Sequence, residues 1–282
     1  MSSITRYLPK NHLSYLMGKL VHLPLPRFIW IPVIQIFSKF YNIQINEAEK
    51  PVSDYESLGD FFVRRLKSGI RPLGSNWALH PADSVITQLA RIENGNLIQA
   101  KGKFYKAVDF VQDPEALQKY GNGFFVTYYL CPTDYHRVHS PVDGVITKVT
   151  HIPGMLWPVN KWSTENIEEM FSINERVSVE IKTDRGLVNV VFVGATNVGY
   201  IELSFMPEIK GNQFSVFKPL IKPNLNISVK RGEELGMFRM GSTVVMLYQD
   251  GVIAADTSTE ELQKLNQKYQ DQPVHVNSNF FN

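Results

Sequence analysis

Residues 236–248 read GMFRMGSTVVMLY, and the fold prediction starts from this stretch. Gly241 and Ser242 stand between an apolar approach and an exit that is rich in β-branched and other apolar residues. A glycine before such a run is typical of a turn that leads into a strand. The stretch therefore predicts a strand at 243–248. The bond between Gly241 and Ser242 is either an ordinary turn peptide or a chemical site, and the rest of the chain has to distinguish the two.

The chain after Pro72 continues the same pattern of short apolar runs next to turn residues. Short β-branched and aromatic runs alternate there with Gly, Pro, Asn and Asp, and only two stretches, 113–120 and 164–171, are typical of helices. This pattern lacks the regular strand–helix alternation of a doubly wound sheet. It predicts an α+β fold, dominated by antiparallel strands in a barrel-like or sandwich-like domain. The other predicted strands are 85–87, 124–130, 145–149, 177–181 and 188–193.

A weak internal repeat supports that architecture. Residues 80–87 and 140–147 share the skeleton Pro-x-Asp-x-Val-Ile-Thr, in which Pro and Asp form a turn before a strand. The repeat suggests two similar strand pairs within one barrel or sandwich. Residues 230–238 resemble the hairpin of swivelling-hybrid domains that carry biotin or lipoyl groups, but the carrier lysine of those domains is absent.

The N-terminal region is basic and apolar. Residues 1–41 contain five Lys or Arg and no Asp or Glu. Apolar residues at positions 13, 16, 17, 20 and 21 share one face of a predicted helix, and a second helix is predicted at 28–40 with a kink at Pro32. Two interpretations stay open: these helices pack on the main domain, or they lie in a membrane interface with their basic edge toward anionic lipids.

Composition narrows the class of protein. The most apolar run, 28–37, is shorter than the ~20 residues of a membrane span and contains a proline, and no signal peptide is expected. The net charge of +2 over 282 residues gives no indication of nucleic-acid binding, and no such partner is expected. A single cysteine, Cys131, fits a reducing compartment and is interpreted as a small half-buried residue. We expect a cytoplasmic protein.

A capping box is suggested by Ser57 and Asp60, with Asp in place of the usual Glu. It predicts a short helix that ends near Leu66. The basic residues that follow are predicted to form a solvated face: Arg64, Arg65, Lys67 and Arg71.

Three residue types could carry serine chemistry. A serine hydroxyl needs a base to take its proton, and an imidazole base works best when a carboxylate fixes its tautomer. Ser242, a histidine at 136 or 139 and Asp83 could fill these roles. A Gly-x-Ser-x-Gly nucleophile elbow is missing, which disfavours an ordinary α/β-hydrolase. Metal binding is not expected, since His136 and His139 have no His-Glu-x-x-His context or Cys cluster around them.

The order of these motifs is that of a known family. Pro-Ala-Asp at 81–83, Asp-Tyr-His-Arg-Val-His at 134–139 and Gly-Ser-Thr at 241–243 together resemble the phosphatidylserine decarboxylase proenzymes, in their short bacterial form. The resemblance covers nearly the whole chain. Further matching motifs lie at 61–64, 99–102, 174–177 and 193–199.

The resemblance implies that serine acts on its own chain. Ser242 Oγ attacks the Gly241 carbonyl, His139 is the general base, and Asp83 orients His139. The resulting ester breaks by β-elimination, and hydrolysis leaves a pyruvoyl group in place of Ser242. Two chains result, 1–241 and 242–282, which form a heterodimer, with a higher homo-oligomer possible.

The resemblance also implies the reaction and its setting. The covalent pyruvoyl cofactor forms a Schiff base with the serine head group and accepts electrons as CO2 leaves, giving phosphatidylethanolamine. His136, which titrates near neutrality in the unperturbed state, is the candidate acid that returns a proton to Cα. The lipid substrate favours interfacial helices, and hence a peripheral position on the cytoplasmic side of the cell membrane. Residues 1–70 are the membrane-associating region, and residues 71–282 are the catalytic domain.

Two departures from the family pattern bear on the site. Met240 replaces the usual Leu before Gly-Ser, with little expected effect because the volumes are similar. Ser84 replaces the glycine of Pro-Ala-Asp-Gly, which adds strain if the position needs a positive φ. The alternatives are a pyruvoyl decarboxylase of a soluble amino acid and a non-catalytic swivelling-hybrid binding domain.

Overall fold

The computed structural model describes residues 10–23, 25–100, 102–196, 200–212, 217–239, 242–253 and 259–281. The first part of the described chain is helical. Its elements are α1 (Lys10–Val21), α2 (Arg27–Phe40), two 3-10 turns (Ile45–Glu47 and Val52–Asp54) and α3 (Leu58–Phe62).

Strands dominate the rest, with short helices between them. In chain order these elements are β1 (Ala78–Leu79), β2 (Ser84–Arg91), β3 (Asn96–Ala100), β4 (Lys103–Lys106), α4 (Ala107–Val111), α5 (Ala116–Tyr120), β5 (Phe124–Leu130), β6 (Arg137–His139), β7 (Gly144–Ile152), α6 (Lys161–Asn166), α7 (Met170–Ile173), β8 (Arg176–Lys182), β9 (Leu187–Val193), β10 (Ile201–Leu203), β11 (Met206–Lys210), β12 (Leu220–Lys222), β13 (Ile227–Val229), β14 (Glu234–Phe238), β15 (Ser242–Tyr248), α8 (Thr259–Tyr269), β16 (Pro273–Val274) and β17 (Asn279–Phe281).

The main sheet has nine strands among the described residues, in the order β12-β7-β8-β9-β15-β5-β2-β16, with β13 also paired to β7. A four-stranded sheet, β11-β10-β14-β6, the two-stranded pair β1-β17 and the hairpin β3-β4 complete the β-structure of the described residues. The pairings along the main sheet, like those of the smaller ones, are antiparallel. The predicted α+β class with antiparallel, sandwich-like β-structure is confirmed.

β15 lies at the centre of the main sheet, between β9 and β5. Its side chains from Val244 to Tyr248 are fully buried, so both faces of the strand are covered. This burial explains why the run of apolar residues does not alternate with polar ones. The strand that follows the Gly-Ser step is therefore the most enclosed strand of the fold, and the prediction of a strand there is confirmed.

The two copies of the sequence repeat form turns that touch each other. One turn precedes β2 and the other precedes β7, and these strands are separated by four others in the sheet. Two backbone hydrogen bonds nevertheless join the turns: Leu79 N–H donates to Pro141 O at 2.9 Å, and His139 N–H donates to Pro81 O at 2.8 Å. The sheet must therefore curl, which brings His139 beside the turn that contains Asp83.

The N-terminal helices have an inner and an outer apolar face. The inner face packs with α3 in a small core of its own, which includes Val21, Trp30, Ile34 and Phe61. The outer face leaves large apolar side chains exposed, with Phe28 and Phe40 74% and 79% accessible. The predicted stripe of α1 is split accordingly. Leu13, Leu16 and Leu20 are exposed, whereas Val21 is buried.

None of the helices in the described ranges has the length and apolar character needed to cross a bilayer. Single exposed apolar residues are ordinary, but a face made of many marks an interaction surface. The division at residue 70 remains a prediction.

Helix boundaries differ from the predictions in places. Ser57 caps α3 as predicted, with Oγ accepting from Asp60 N–H at 3.0 Å. The helix ends at Phe62 rather than near Leu66, because the following backbone turns to pair with residues 47–49. The stretch predicted as one helix at 164–171 forms α6 and α7 instead, and that at 113–120 forms only α5.

Candidate active site

The register of the main sheet places Ser242 and the turn with Asp83 at the same end of that sheet. Ser242 begins β15 opposite Leu130, the last residue of β5. On the other side of β5, Tyr129 lies opposite Val85, just after the turn that holds Asp83. Adjacent strands are about 4.8 Å apart, so the backbones of Ser242 and the Asp83 turn are separated by roughly 10 Å.

Part of the predicted cleavage site lies outside the described residues. This applies to Gly241, to Met240 before it and to the side chain of Ser242. Residues 197–199 and Lys101, which belong to the motifs behind the family resemblance, also lie outside the description. The site is therefore built here from the groups around the backbone of Ser242.

A tight turn follows β5 directly. Asp134 N–H donates to Cys131 O at 2.9 Å, and the Asp134 carboxylate accepts from Cys131 N–H at 2.7 Å. Burial raises the pKa of the Cys131 thiol to about 11, and the charge of Asp134 adds to this effect. The thiol is protonated at neutral pH and is a poor nucleophile. The interpretation of Cys131 as a half-buried structural residue agrees with this environment.

His136 follows the turn and is fully buried. Its Nδ1 lies 2.9 Å from Asp134 O, and its ring lies 4.1 Å, centroid to centroid, from that of Phe62. Because a carbonyl only accepts hydrogen bonds, Nδ1 carries the proton and Nε2 has a free lone pair. Nε2 has no hydrogen-bond partner among the described residues. Burial lowers the pKa of His136 to about 3, so the expectation that it titrates near neutrality is wrong.

His139 ends β6 with both ring nitrogens engaged. Nδ1 lies 2.7 Å from Gly232 O, and Nε2 lies 3.2 Å from Tyr135 Oη. The carbonyl fixes the proton on Nδ1, so the Tyr135 hydroxyl donates to the Nε2 lone pair. Burial lowers the pKa of His139 below its ordinary value, and the ring is neutral at pH 7. A neutral imidazole with Nε2 unprotonated is the form that a general base requires.

Asp83 is buried in a cluster of donors. Arg71 donates three hydrogen bonds to its carboxylate, the shortest at 2.6 Å, and Val276 N–H donates a fourth at 2.8 Å. His275 Nδ1 lies 3.7 Å away, and Arg71 also reaches Glu47 at 3.1 Å. Burial alone raises the pKa of Asp83, but the hydrogen bonds from His275 and Arg71 outweigh it and leave the pKa lowered.

No hydrogen bond joins Asp83 to His139 in the part of the chain that the structure describes. The position beside Nδ1, where the resemblance implies a carboxylate, is taken by the Gly232 carbonyl. Asp83 and His139 are linked through the backbone, since Pro81 O accepts from His139 N–H. The negative charge of Asp83 still acts on His139, because it opposes the lowering of the His139 pKa. Asp83 is therefore near the base without holding its proton.

The substitution of Ser84 for glycine causes no strain. Ser84 is the first residue of β2, and it is not among the described residues with positive φ. Its hydroxyl donates to Ala82 O at 3.2 Å. The concern that this position needs a glycine does not apply to the Asp83 turn.

Two of the basic residues predicted to form a solvated face, Arg64 and Arg71, belong instead to the site, whereas Arg65 and Lys67 are exposed as predicted. Arg64 is 95% buried, with Nη2 donating to Thr133 O at 3.3 Å, and Arg71 holds Asp83. Arg137 is also buried, and it donates through Nε to Val63 O at 2.8 Å and through Nη1 to Glu234 at 2.9 Å. The residues at 61–64 thus support the segment at 133–137. Their charge is visible in the sequence, but their burial is not.

Another matching motif, Asn174-Glu175-Arg176, is structural. The Asn174 side chain bonds Trp157 N–H and Gly194 O, and Glu175 accepts from Asn212 N–H. The buried guanidinium of Arg176 donates to four backbone carbonyls at the ends of α4 and α7. This motif fixes loops near the Ser242 end of β9 and contributes no reactive group of its own.

Together these contacts define what the site can do. It contains a serine at the start of a rigid strand, the neutral imidazole of His139 next to the Asp83 turn, and the neutral imidazole of His136 with an open nitrogen. The ionised carboxylate of Asp83 lies near His139 and acts on it through its charge. Among the described residues no group of three or more His, Cys, Asp or Glu is placed to hold a metal ion. The arrangement suits proton transfer and acyl chemistry at Ser242.

Comparison with known proteins identifies the family. The family model for phosphatidylserine decarboxylase matches residues 58–270. Among curated relatives named phosphatidylserine decarboxylase proenzyme, that of Vibrio parahaemolyticus is 38% identical over 261 residues, which cover 90% of this chain and 91% of the relative. Those of Vibrio cholerae and Myxococcus xanthus are 37% and 35% identical, with 89% and 92% of this chain and 90% and 92% of theirs covered.

The matched region contains the Asp83 turn, both histidines and Ser242, and the match extends over most of the length of each relative. The chain therefore belongs to the phosphatidylserine decarboxylase family of carboxy-lyases.

Proposed function

We propose that this chain decarboxylates phosphatidylserine by means of a pyruvoyl group, made from Ser242 when the chain cleaves itself before that residue. The observation that carries the proposal is the protonation state of His139. Its Nδ1 proton is bound to Gly232 O, and Nε2, whose lone pair accepts from the Tyr135 hydroxyl, is the atom that can take a proton. A base in this form is the requirement for activating a serine hydroxyl.

Self-cleavage begins when His139 Nε2 takes the proton of Ser242 Oγ. The oxygen attacks the Gly241 carbonyl, and the peptide bond is exchanged for an ester as the proton passes to the departing nitrogen. Loss of the Ser242 α-proton then expels residues 1–241 with a terminal carboxylate. Water converts the dehydroalanine that remains into a pyruvoyl group with release of ammonia. The Tyr135 hydroxyl must leave Nε2 before the first step, since it occupies the same lone pair.

Asp83 has a different role here from that in a hydrogen-bonded triad. Its carboxylate is ionised and held by Arg71, Val276 N–H and His275. An ionised carboxylate near His139 stabilises the imidazolium that forms during proton transfer. Asp83 therefore acts on His139 through charge, while the Gly232 carbonyl fixes the tautomer.

The surroundings of Ser242 also fit the group that cleavage would create. Once formed, the pyruvoyl group supplies a carbonyl that takes up the electrons released as CO2 leaves. His136 contributes a buried, unpartnered Nε2 that can hold a proton. We assign to it the delivery of a proton to Cα after CO2 has left. Because burial lowers the pKa of His136, its imidazolium is a strong acid, and the proton comes from water, as the net consumption of one proton by decarboxylation requires.

The two chains are expected to stay together after cleavage. The smaller chain would contain β15, which is paired on both sides, and also β16 and β17, which pair with β2 and β1. Breaking one bond at the start of β15 removes none of these pairings. A heterodimer of residues 1–241 and 242–282 is therefore the expected active form.

The N-terminal helices are proposed to dock on the membrane that contains the substrate. Their outer face exposes Leu16, Phe28, Ile36 and Phe40, and the first 41 residues include no acidic residue. Apolar side chains enter the acyl boundary while Lys and Arg attract anionic head groups. We propose a peripheral location on the cytoplasmic side of the cell membrane.

Two measurements test the proposed function. Intact mass spectrometry should give two chains, the smaller with a pyruvoyl group in place of Ser242, and carboxyl-labelled phosphatidylserine in detergent micelles should release labelled CO2. An uncleaved chain of 32.2 kDa without activity would contradict the proposal. Cleaved protein that releases CO2 from a soluble amino acid, but not from the lipid, would retain the cofactor and overturn the substrate.

A further inference from the structure

A second exposed apolar surface lies outside the N-terminal helices. We call residues 217–222 the edge segment; it consists of the approach to β12 and β12 itself. Phe217 is 85% exposed, and Leu220 and Ile221 are also exposed. β12 is the last strand on its side of the main sheet, so its outer edge has no strand partner among the described residues. Three large apolar side chains at an open sheet edge require an explanation.

The charge around the edge segment has one sign. Residues 209–232 contain no Asp or Glu, whereas they contain four Lys and one Arg. Lys218 and Lys222 alternate with the exposed apolar residues of the segment itself. Apolar side chains interleaved with lysine match a surface that is apolar inside and anionic at its boundary. An anionic bilayer has this chemistry.

The edge segment lies near the first of the proposed docking helices in the fold. Leu220 pairs with His151 on β7, two residues before the loop that contains Gly154. Asn11 of α1 donates to Gly154 O at 3.0 Å, and Met155 beside it is exposed. The start of α1 thus lies against the loop that contains the exposed Met155, and this loop follows the strand that pairs with β12.

The same helix reaches the cleavage site at its other end. His22, which follows α1, lies 3.1 Å from Arg239 Nη1, and Arg239 is three residues before Ser242. A 12-residue helix is about 18 Å long. α1 therefore extends from Arg239, near Ser242, to the Gly154 loop, which follows the strand that pairs with β12. A bilayer that contacts α1 along its length would meet the edge segment as well.

A protein strand is a poorer occupant of this edge than a membrane. Pro219 and Pro223 flank β12 and have no N–H to donate to an added strand. Lysines at a sheet edge also discourage strand addition. The exposed side chains, rather than the backbone, are therefore the groups that a partner would contact.

We infer that the edge segment is a second membrane-docking element, which inserts Phe217, Leu220 and Ile221 among the acyl chains of an anionic bilayer. The inference rests on the proposed function, because it extends the docking surface of the N-terminal helices into the β-rich part of the chain. Docking at both ends of α1 would hold the Ser242 end of the sheet toward the membrane and orient it there.

The apolar part of the inference is tested by vesicle sedimentation of the full chain. The variant F217S/L220S/I221S should bind vesicles of phosphatidylserine and phosphatidylcholine roughly tenfold or more weakly than the parent chain. Leu117→Ser is the matched control, since Leu117 is 54% exposed on α5, which precedes the opposite end of β5. Both variants should still cleave and should release CO2 from detergent micelles at the parent rate.

The charged part is tested with K218Q/K222Q. This variant should lose roughly fivefold of its affinity per lysine for vesicles containing phosphatidylserine, with no loss for pure phosphatidylcholine. Binding of F217S/L220S/I221S equal to that of Leu117→Ser would overturn the inference and leave the helices as the docking element. A parent chain that does not bind vesicles at all would overturn membrane docking as a whole.

Discussion

The Asp83–His139 region and the N-terminal helices differ in what they expose to solvent. In the first region polar groups are buried and nearly all of them are bonded, including the carboxylate of Asp83 and both ring nitrogens of His139. In the second, large apolar side chains such as Phe28 and Phe40 remain exposed. Chemistry on a charged group requires fixed donors and acceptors, whereas docking requires apolar surface that folding leaves uncovered.

The two regions also meet physically. Glu47, in the 3-10 turn after the helices, bonds Arg71, and Arg71 bonds Asp83. A single arginine thus links the helical part of the chain to the carboxylate of Asp83. Substitutions at the site should change self-cleavage and turnover, and substitutions at Arg71 should change the pH dependence. Substitutions on the exposed helical face should change membrane binding.

Removing the base should have the largest effect. His139→Ala removes the acceptor for the Ser242 proton, so self-cleavage should slow by about 10²–10⁴-fold and no active enzyme should accumulate. The fraction of cleaved chain is followed with time by mass spectrometry. His12→Ala, on an exposed position of α1, serves as the control and should cleave normally. Complete processing of His139→Ala would remove His139 from the mechanism.

Loss of the second histidine should separate cleavage from turnover. His136→Ala should cleave at the parent rate, because His139 and Ser242 are unchanged, yet CO2 release should fall by about 10²–10⁴-fold without a residue to return the proton. The assay uses labelled phosphatidylserine in micelles, normalised to the amount of processed chain. Parent-level turnover would show that another group moves this proton.

Removing the Arg71 link should change the pH dependence of stability and of self-cleavage. Hydrogen bonds to Asp83 lower its folded pKa, so its contribution to stability is present above the unfolded pKa and is lost as pH falls through the folded value. Arg71→Met leaves burial less opposed, which raises the pKa of Asp83. The acid loss of stability and of self-cleavage should therefore begin at a higher pH. Removing one member of a buried pair should also cost about 3 kcal/mol of unfolding free energy at neutral pH.

Urea unfolding and self-cleavage rates, measured across pH, check this prediction for Arg71. Arg71→Lys retains the charge and should restore much of the parent profile. If Arg71→Met lowers the rate equally at every pH, with the acid limb unmoved, Arg71 is only a structural residue. If Asp83→Asn cleaves normally, the role of Asp83 itself is wrong.

Changes to the exposed helical face should affect membrane binding alone. The variant L16S/F28S/F40S should bind anionic vesicles about tenfold or more weakly, because each serine removes apolar area from the proposed docking face. Turnover in detergent micelles should match that of the parent chain, since the inner face with Trp30 and Ile34 is untouched. Equal loss in vesicles and micelles would mean that the outer face supports folding.

The smallest effect is expected at Tyr135. Its hydroxyl bonds His139 Nε2, and burial raises its own pKa to about 12, so it is a neutral donor. Tyr135→Phe removes one hydrogen bond of about 0.5–1.5 kcal/mol, which corresponds to a change in the self-cleavage rate of no more than about tenfold. A loss of cleavage as large as that of His139→Ala would show that Gly232 O does not fix the tautomer alone.

Much of the architecture follows from the sequence. The apolar run after Gly241 predicts β15, and β-branched runs predict β5, β8 and β9 within one or two residues of their bounds. Hydrophobic periodicity reports on burial, and burial decides which residues enter the sheet. The gathering of Ser242 and Asp83 at one end is a consequence of register, which no local pattern encodes.

The partners of the site residues are the part that sequence reasoning missed. Gly232, which holds His139, is 93 positions away from it, and Val276, which holds Asp83, is 193 positions away. Such pairs arise only when the sheet curls. Arg71 was predicted as solvated because its charge, and not its burial, is visible in the sequence. The His136 pKa was predicted from the unperturbed residue, whereas full burial determines it.

The central position of β15 affects how the cleaved protein could refold after it has been unfolded. The precursor folds as one chain, so β15 inserts between β9 and β5 by a unimolecular step. After the proposed cleavage, the middle strand of the sheet belongs to a separate chain of 41 residues, 242–282. Refolding from denaturant then becomes bimolecular and dependent on concentration, and the effective concentration supplied by the covalent connection is gone. If the chain cleaves as proposed, the active enzyme therefore assembles once, from its precursor, because its separated chains no longer have the covalent connection.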